Sequence, residues 1–204
     1  MHKPMPLLLE TIKIEDGNIH NLDYHQKRCT KSRQILFNSK EELLLDTYIT
    51  PPSIGLYRCR VLYHTHIQSI EYIPYKAKDF SSLQVISSSI EYSFKYANRD
   101  ALNSLLSLHD TVDEIIIEKE GYLTDTSISN IAFYDGNRWI TPAKPLLEGT
   151  LRAKLIDEGF LHTKNIEASN LKDYTQVALM NAMLGFKILK NLQIKDLQGN
   201  IYDY

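Results

Sequence analysis

The sequence has few cysteines, no long apolar run and almost no net charge. Its two cysteines, Cys29 and Cys59, are too few and too far apart for a zinc-binding signature, and they suit buried thiols in a reducing cytosol. The 23 basic residues are balanced by 25 acidic ones, which argues against a nucleic-acid partner held through its phosphates. No apolar stretch approaches the roughly 20 residues needed to cross a bilayer, and residues 5–9 are too short for a signal peptide. We therefore expect a cytoplasmic protein without a nucleic-acid or membrane partner.

What is present is the composition of an ordinary globular protein, with 43% hydrophobic and 24% charged residues. A strand pattern at residues 7–14 and a strand hairpin at residues 55–75 surround a helical pattern over residues 22–36. Asn21 is the expected N-cap of that helix, and a second, shorter helix is predicted over residues 41–46. This order of elements predicts an α+β layer with helices on one side of a sheet.

A chain of 204 residues is long enough for two domains, and we place their boundary in the polar segment 79–82. This division gives a small N-terminal α+β domain of residues 1–78. It also gives a larger C-terminal domain of residues 79–204. The second domain is expected to be rich in strands, with a helix over residues 98–108 and another after residue 149.

The stretch 113–159 carries the strongest local signals. Asp135-Gly136 predicts a hairpin between two strand patterns, and Gly149-Thr150 opens a helix that Gly159 ends. Asp125 is a carboxylate among small residues inside one of these strands. The helix start offers free backbone N–H groups, as anion binding requires. Together these features indicate a site, although a solvent-facing aspartate and an ordinary helix cap explain each of them separately.

Other charged side chains are further candidates. The basic face of helix 22–36 is expected to be solvated, but one cation could turn inward to an anion; its members are Lys27, Arg28, Lys31 and Arg33. Arg58 and Arg60 share one face of a strand, where either can bind a substrate carboxylate or remain an exposed charge. His64 and His66 are also predicted to share a strand face. No third ligand of matching spacing accompanies them, so no metal site is expected.

Seven short motifs occur in a fixed order along the chain. They are His25-Gln-Lys-Arg28, Lys95-Tyr-Ala-Asn-Arg99, Glu120-Gly-Tyr-Leu-Thr-Asp125, Asn130-Ile-Ala-Phe133, Thr141-Pro142, Leu147-Glu-Gly-Thr-Leu-Arg152 and Met180-Asn-Ala-Met-Leu-Gly185. This series resembles the fold-type IV pyridoxal-phosphate enzymes, the class IV aminotransferase family. Within that family the lysine motif and the last motif are most similar to those of 4-amino-4-deoxychorismate lyases. The resemblance implies an enzyme of the two-domain α+β architecture found in D-amino acid aminotransferase. It also implies pyridoxal 5′-phosphate as cofactor and a homodimer.

The resemblance also implies which residues carry the chemistry. Lys95 would bind the cofactor covalently and later transfer the proton, and Thr11 would assist the proton transfers. Asp125 would face the pyridine nitrogen and keep it protonated, which makes the ring an electron sink. Arg99 matches an arginine near the cofactor.

The phosphate of the cofactor would be held from two sides. Arg28 and the backbone N–H groups of Thr150 and Leu151 form one side, and the latter pair coincides with the anion site expected at the helix start. Asn181 and Ala182 would close the other side. The resemblance thus implies a phosphate site built from three separate segments.

Two departures from the family pattern keep alternatives open. The chain starts close to the Glu10-Thr11 strand, so we expect a shortened N-terminal portion, and Asp125 replaces a glutamate. The leading hypothesis is a lyase of the folate branch that converts a small amino substrate, 4-amino-4-deoxychorismate, to 4-aminobenzoate and pyruvate. The alternatives are a class IV aminotransferase acting on a branched-chain or D-amino acid, and a shortened homologue without catalytic activity. Retention of Lys95 favours an enzyme.

Overall fold

The structure is a computed structural model that describes residues 5–204. The helices are α1 (Leu22–Phe37), α2 (Asp100–Ser107) and α3 (Thr150–Asp157), with 3₁₀-helices at Leu45–Thr47 and Ala168–Asp173. The strands up to residue 119 are β1 (Leu8–Glu15), β2 (Asn18–Ile19), β3 (Leu56–Tyr63), β4 (Ile67–Pro74), β5 (Ser82–Ser87) and β6 (Glu114–Lys119). The later strands are β7 (Tyr122–Thr126), β8 (Asn130–Tyr134), β9 (Trp139–Pro142), β10 (Leu161–Lys164), β11 (Gln176–Asn181), β12 (Gly185–Ile188), β13 (Gln193–Lys195) and β14 (Ile201–Asp203). Within residues 5–204, no helix is both long and apolar enough to cross a bilayer.

The chain divides into two compact units. The first contains the chain up to Ala77 together with Phe94–Asn98, and the second contains Lys78–Ser93 and Arg99–Tyr204. The lysine motif was placed in the C-terminal domain from the sequence, but in the structure Lys95 packs with the first unit. The segment 79–82, expected to be a linker, is also packed, since Phe80 is buried in the core of the second unit. Its backbone is also bound to the Asp113 carboxylate, which accepts hydrogen bonds from the N–H groups of Ser81 and Ser82.

The first unit is an antiparallel sheet in the order β2-β1-β3-β4. Strands β1 and β3 are paired from Leu8 opposite Tyr63 to Glu15 opposite Leu56. Because successive side chains point to opposite faces, one face of these strands is apolar and buried, and α1 packs on it through Cys29. The buried members of this core are Leu8, Ile12, Ile14, Cys29, Leu43, Leu45, Ile49, Cys59, Val61 and Tyr63.

One of two local predictions for the first unit is confirmed. Asn21 occupies the N-cap position of α1 as predicted, although it has left-handed backbone angles and its side chain makes no capping hydrogen bond. The other prediction is wrong. The helix expected over residues 41–46 is absent except for the 3₁₀ turn Leu45–Thr47. Side chains of α1 bind the backbone there instead. Gln26 donates to Leu43 O and accepts from Leu45 N, both at 2.8 Å, and Arg33 donates to Glu41 O at 2.9 Å. These hydrogen bonds use backbone C=O and N–H groups that would otherwise bond to each other within a helix.

The second unit contains a ten-stranded sheet with the path β10-β9-β8-β7-β6-β5-β13-β14 and with β11 paired to β8 and β12. Strand β5 is parallel to both β6 and β13. The Asp135-Gly136 hairpin joins β8 to β9 as predicted, with Gly136 at a φ of 92°. Strands β10 and β13 and the 3₁₀-helix Ala168–Asp173 were not predicted from the sequence. The predicted α+β class is nevertheless confirmed, with strand-rich sheets and few helices.

Candidate functional site

Lys95 is held against the first half of β1. The backbone N–H of Leu9 donates to Lys95 O at 2.9 Å, and that of Ala97 donates to Leu7 O at 2.8 Å. Leu8 and Tyr96 form an antiparallel bridge between these two bonds. The residues near Lys95 thus extend the sheet of the first unit by a short strand-like segment, which fixes the lysine backbone beside Leu9.

Strand alternation brings Lys95 and Thr11 to one face of this sheet. Tyr96 and Leu8 contribute to the buried core, so their neighbours Lys95 and Leu9 point to the opposite face, which Thr11 shares. Thr11 lies opposite Arg60 in the register of β1 and β3, and Lys13 lies opposite Arg58. We call this face, with Thr11, Lys13, Arg58, Arg60 and Lys95, the open face of the first unit.

The two arginines of the open face have different surroundings. Arg60 is bound to Glu71 on β4 at 2.8 Å, and Lys13 is bound to Glu15 at 2.7 Å. The Nε of Arg58 is buried and has no hydrogen-bond partner within residues 5–204. A buried donor left without a partner is costly, so Arg58 is the arginine suited to receive an acceptor from a ligand.

Arg28 is not directed at solvent but is bound to a buried acid, Glu10, that sequence reasoning missed. Its Nε and Nη2 donate to the two carboxylate oxygens of Glu10 at 2.9 and 2.6 Å, a bidentate pair. The Nδ1 of His25 lies 2.6 Å from the same carboxylate, and both Glu10 and His25 are fully buried. The predicted phosphate ligand is therefore already engaged, and its guanidinium is fixed by Glu10.

Charge explains the protonation of this cluster. Burial raises the pKa of Glu10, but the positive charge of Arg28 and the hydrogen bonds from His25 and Arg28 outweigh it and lower the pKa to about 2. Burial lowers the pKa of His25 against the opposing effect of Glu10. His25 is thus neutral at pH 7, and its Nδ1 must carry the proton, because an ionised carboxylate only accepts hydrogen bonds.

In the second unit, Asp125 lies buried on β7 with both carboxylate oxygens engaged. One accepts from Asn130 Nδ2 at 2.7 Å, and the other accepts from the backbone N–H of Leu147 at 2.8 Å. Burial raises the pKa of Asp125 to about 6, although these bonds and the charge of Arg152 act against it. The sequence analysis treated this carboxylate as directed at a ligand, whereas the structure shows it bound to the loop before α3.

Helix α3 begins at the residue that the sequence predicted. Gly149 precedes the helix, and Thr150 is buried while Leu151 packs at the edge of an apolar cluster. Arg152 is buried as well, donates to Pro142 O at 2.8 Å, and leaves its Nε without a partner within the described chain. Two of the first three residues of α3, Thr150 and Arg152, are thus buried.

The remaining predicted residues of the second unit hold turns. Asn181 donates to Ser129 Oγ at 2.9 Å and accepts from Leu184 N at 2.8 Å, which fixes the turn containing Ala182. Arg99 precedes α2 and donates to Ser127 O at 2.8 Å. These side chains therefore stabilise the loops that carry them.

The histidine pair is placed differently from the prediction. His64 and His66 lie in the turn between β3 and β4 rather than on one strand face. The Nδ1 of His64 accepts from Thr65 N at 2.8 Å, which closes that turn. Within residues 5–204 no group of three potential metal ligands occurs.

Of the two missed residues, Glu10 and Asn130, only Glu10 had a usable sequence signal. Glu10 shares one face of β1 with Leu8, Ile12 and Ile14, so an acid was predictable on the buried face of that strand. Such an acid needs a cation, and His25 and Arg28 are one helical turn apart. Asn130 had no comparable signal, because its partners come from β7 and from the loop before α3.

Comparison with known proteins agrees with this architecture. The family model for amino-transferase class IV matches residues 60–191. A protein of Haemophilus influenzae without a characterised function is 36% identical over 184 residues, which cover 87% of this chain and 98% of that protein.

Solved structures are also similar. A structure from Haemophilus somnus 129pt, provisionally assigned as a 4-amino-4-deoxychorismate lyase, is 37% identical with a TM-score of 0.80, covering 90% of this chain and 99% of its own. The pyridoxal-phosphate-bound form of a hypothetical aminotransferase from Mycobacterium tuberculosis shares the fold at 16% identity and a TM-score of 0.75, covering 92% and 81% of the two chains. On the family match and the full-length relative, the chain belongs to the class IV aminotransferase family of enzymes.

Proposed function

We propose that the protein is a pyridoxal-phosphate-dependent lyase that converts 4-amino-4-deoxychorismate to 4-aminobenzoate and pyruvate. The observation that carries the proposal is the open face of the first unit, where Lys95 and Thr11 share a surface with Arg58. The 37% identity to the structure from Haemophilus somnus supports a lyase over other members of the family.

The chemistry of the residues present fits pyridoxal phosphate. Lys95 supplies an amine, Arg28 a guanidinium and α3 a helix start, while Asp125 supplies a buried carboxylate. An unpartnered donor on Arg152, next to the helix start, also suits an anionic group. When bound, the cofactor supplies an electron sink through its protonated ring nitrogen. Lys95, Arg28 and Arg99 would hold it with Asp125, Thr150, Leu151, Asn181 and Ala182.

Lys95 would then accept and donate the proton that is transferred, and Thr11 would assist this transfer. An amine acts as a base only when it is neutral, so Lys95 must lose its proton before it can accept one from the substrate. The Thr11 hydroxyl both donates and accepts, so it can pass a proton on the face that it shares with Lys95. This role requires no charge on Thr11 and no movement of β1.

Arg58 is the residue that we assign to a substrate carboxylate. The proposed substrate carries two carboxylates, and a planar guanidinium binds such groups through paired hydrogen bonds. Glu71 neutralises Arg60 at the surface, whereas the Nε of Arg58 is buried without a partner in the described chain. This difference in surroundings supports the choice of Arg58 over Arg60.

The test is an absorbance spectrum of the purified protein with pyridoxal phosphate, before and after borohydride, for wild type and Lys95→Ala. A visible band that borohydride makes covalent in wild type, and that Lys95→Ala lacks, supports the cofactor and its lysine. Release of 4-aminobenzoate together with pyruvate from aminodeoxychorismate then identifies the lyase. Formation of a keto acid from an amino acid, without pyruvate release from aminodeoxychorismate, would instead identify the aminotransferase.

A further inference from the structure

Asp125 and Asn130 form the only register pair between β7 and β8, and both side chains are buried. Opposite residues of an antiparallel pair point to the same face with their Cβ atoms close together. The carboxylate and the carboxamide therefore lie side by side. Neither side chain is directed at solvent, so their polar groups must bind within the protein.

These two side chains together grip a single residue, Leu147, in the loop before α3. Asn130 Nδ2 donates to Asp125 Oδ1 at 2.7 Å and to Leu147 O at 2.9 Å, and Leu147 N donates to Asp125 Oδ2 at 2.8 Å. Both backbone polar groups of Leu147 are thus bound by side chains, as a neighbouring strand would bind them. We call this arrangement the Leu147 clamp.

Asn130 also touches the residue that starts the helix. A Cβ on Gly149 would clash with Asn130 Oδ1. The backbone angles of Gly149 are φ −70° and ψ 141°, which any residue adopts. Glycine is therefore required here by the close approach of Asn130 and not by the backbone conformation.

We infer that Asn130 is a positioning residue that sets the distance between the Asp125 carboxylate and the first turn of α3. This inference rests on the proposed function, in which Asp125 faces the ring and α3 binds the phosphate of one rigid cofactor. A rigid ligand with two anchored ends binds well only if the protein holds both anchors at matching positions. Asn130 contacts both anchors, since its amide nitrogen binds Asp125 and its oxygen packs on Gly149.

The experiment compares Asn130→Ala, Gly149→Ala and the double variant with wild type. Asn170→Ala is the matched control, because that asparagine also binds backbone, at Glu167 N with 3.1 Å, but in the 3₁₀-helix Ala168–Asp173. The first readout is hydrogen exchange of residues 143–151 without cofactor. The second is the dissociation constant of pyridoxal phosphate by equilibrium dialysis, and the third is the pH at which the spectrum of the bound cofactor changes.

We expect Asn130→Ala to speed exchange in residues 143–151 and to weaken pyridoxal-phosphate binding by about 10- to 100-fold, as loss of hydrogen bonds to a charged group implies. Loss of the Asn130 donor raises the pKa of Asp125, while the charge of Arg152 continues to act on that carboxyl group. We therefore expect the spectrum of the bound cofactor to change at a higher pH. Gly149→Ala alone weakens binding to a similar extent. In the Asn130→Ala background it has little further effect, because the atom it would strike is gone.

Two results would overturn the inference. One is wild-type exchange and wild-type affinity in folded Asn130→Ala, which would leave Asn130 a purely structural residue like Asn170. The other is full additivity of the two substitutions, which would mean that Gly149 and Asn130 act independently. If wild type binds no pyridoxal phosphate, the proposed function fails and the cofactor half of the inference with it. The exchange measurement then still decides whether the Leu147 clamp exists.

Discussion

Replacement of the buried acid Glu10 by glutamine tests the electrostatic core of the first unit. Glu10→Gln keeps the shape of the side chain but removes the charge that both oxygens present to Arg28. Arg28 is then a mostly buried cation without its counterion, with only 13% of its side chain exposed. Breaking such a pair from one side costs about 3–5 kcal/mol of folding free energy.

The pKa of Glu10 gives an independent magnitude. A fall from 4.5 to about 2 on folding stabilises the native state by about 3 kcal/mol at neutral pH, at about 1.4 kcal/mol per pKa unit. Since the folded pKa is lowered, this stabilisation is present above pH 4.5 and is lost as the pH falls towards 2. About 1 kcal/mol of it should be gone by about pH 3.5. Glu10→Gln lacks this pH dependence.

The assay is urea unfolding of wild type and Glu10→Gln between pH 7 and 3.5. We expect the difference in unfolding free energy to be largest at pH 7 and to shrink on acidification. Glu71→Gln is the control, since Glu71 pairs with Arg60 at the surface and such pairs contribute about 0–1 kcal/mol. A difference between wild type and Glu10→Gln that stays constant with pH would refute the assignment of Glu10 as an ionised counterion.

The remaining predictions concern the open face. Arg58→Met should raise KM for aminodeoxychorismate by about 10- to 100-fold through loss of a charged hydrogen bond, while Arg60→Met changes it less than about threefold. Steady-state kinetics of both variants check this, and equal effects would contradict the choice of Arg58. Thr11→Val should lower kcat more than it weakens binding of pyridoxal phosphate, since only the hydroxyl is removed; equal losses would exclude a role in proton transfer.

Much of the fold was readable from local pattern. Strand β1, helix α1, the β3–β4 hairpin and the β8–β9 hairpin all followed from periodicity and turn residues. Strand β10 was missed because three of its four residues are exposed and it pairs with β9 in parallel, so it has no alternation and no turn signal. Strand β13 has three residues and pairs in parallel with β5. That partner lies more than a hundred residues earlier, and the other partner, β14, also has only three residues.

For the site, the sequence proposed members but not their contacts. The resemblance of the ordered motifs to a known family selected Lys95, Arg28 and Asp125 as candidates. Sequence alone did not show that Arg28 is bound to Glu10 or that Asp125 is bound to Asn130 and Leu147. Each contact joins elements distant in the chain. The strand alternation of β1 carried a usable signal for Glu10, whereas the loop that meets Asp125 has no periodicity from which to infer its path.

The two buried carboxylates, Glu10 and Asp125, have different pKa values because their hydrogen-bond donors differ in charge. Glu10 is bound by a guanidinium and remains ionised, with a pKa of about 2. Asp125 is bound by neutral donors, and Arg152 acts on it only through its charge while donating its hydrogen bond to Pro142, so burial raises the pKa to about 6. A cation placed beside Asp125 would lower that pKa, as Arg28 does for Glu10. A protonated ring nitrogen is such a cation, and the carboxylate would in turn keep it protonated. Glu10 already has a cation bound to it, Arg28, whereas Asp125 has only neutral hydrogen-bond donors. This difference supports the proposal that the ring nitrogen binds at Asp125 and that Glu10 is a structural charge.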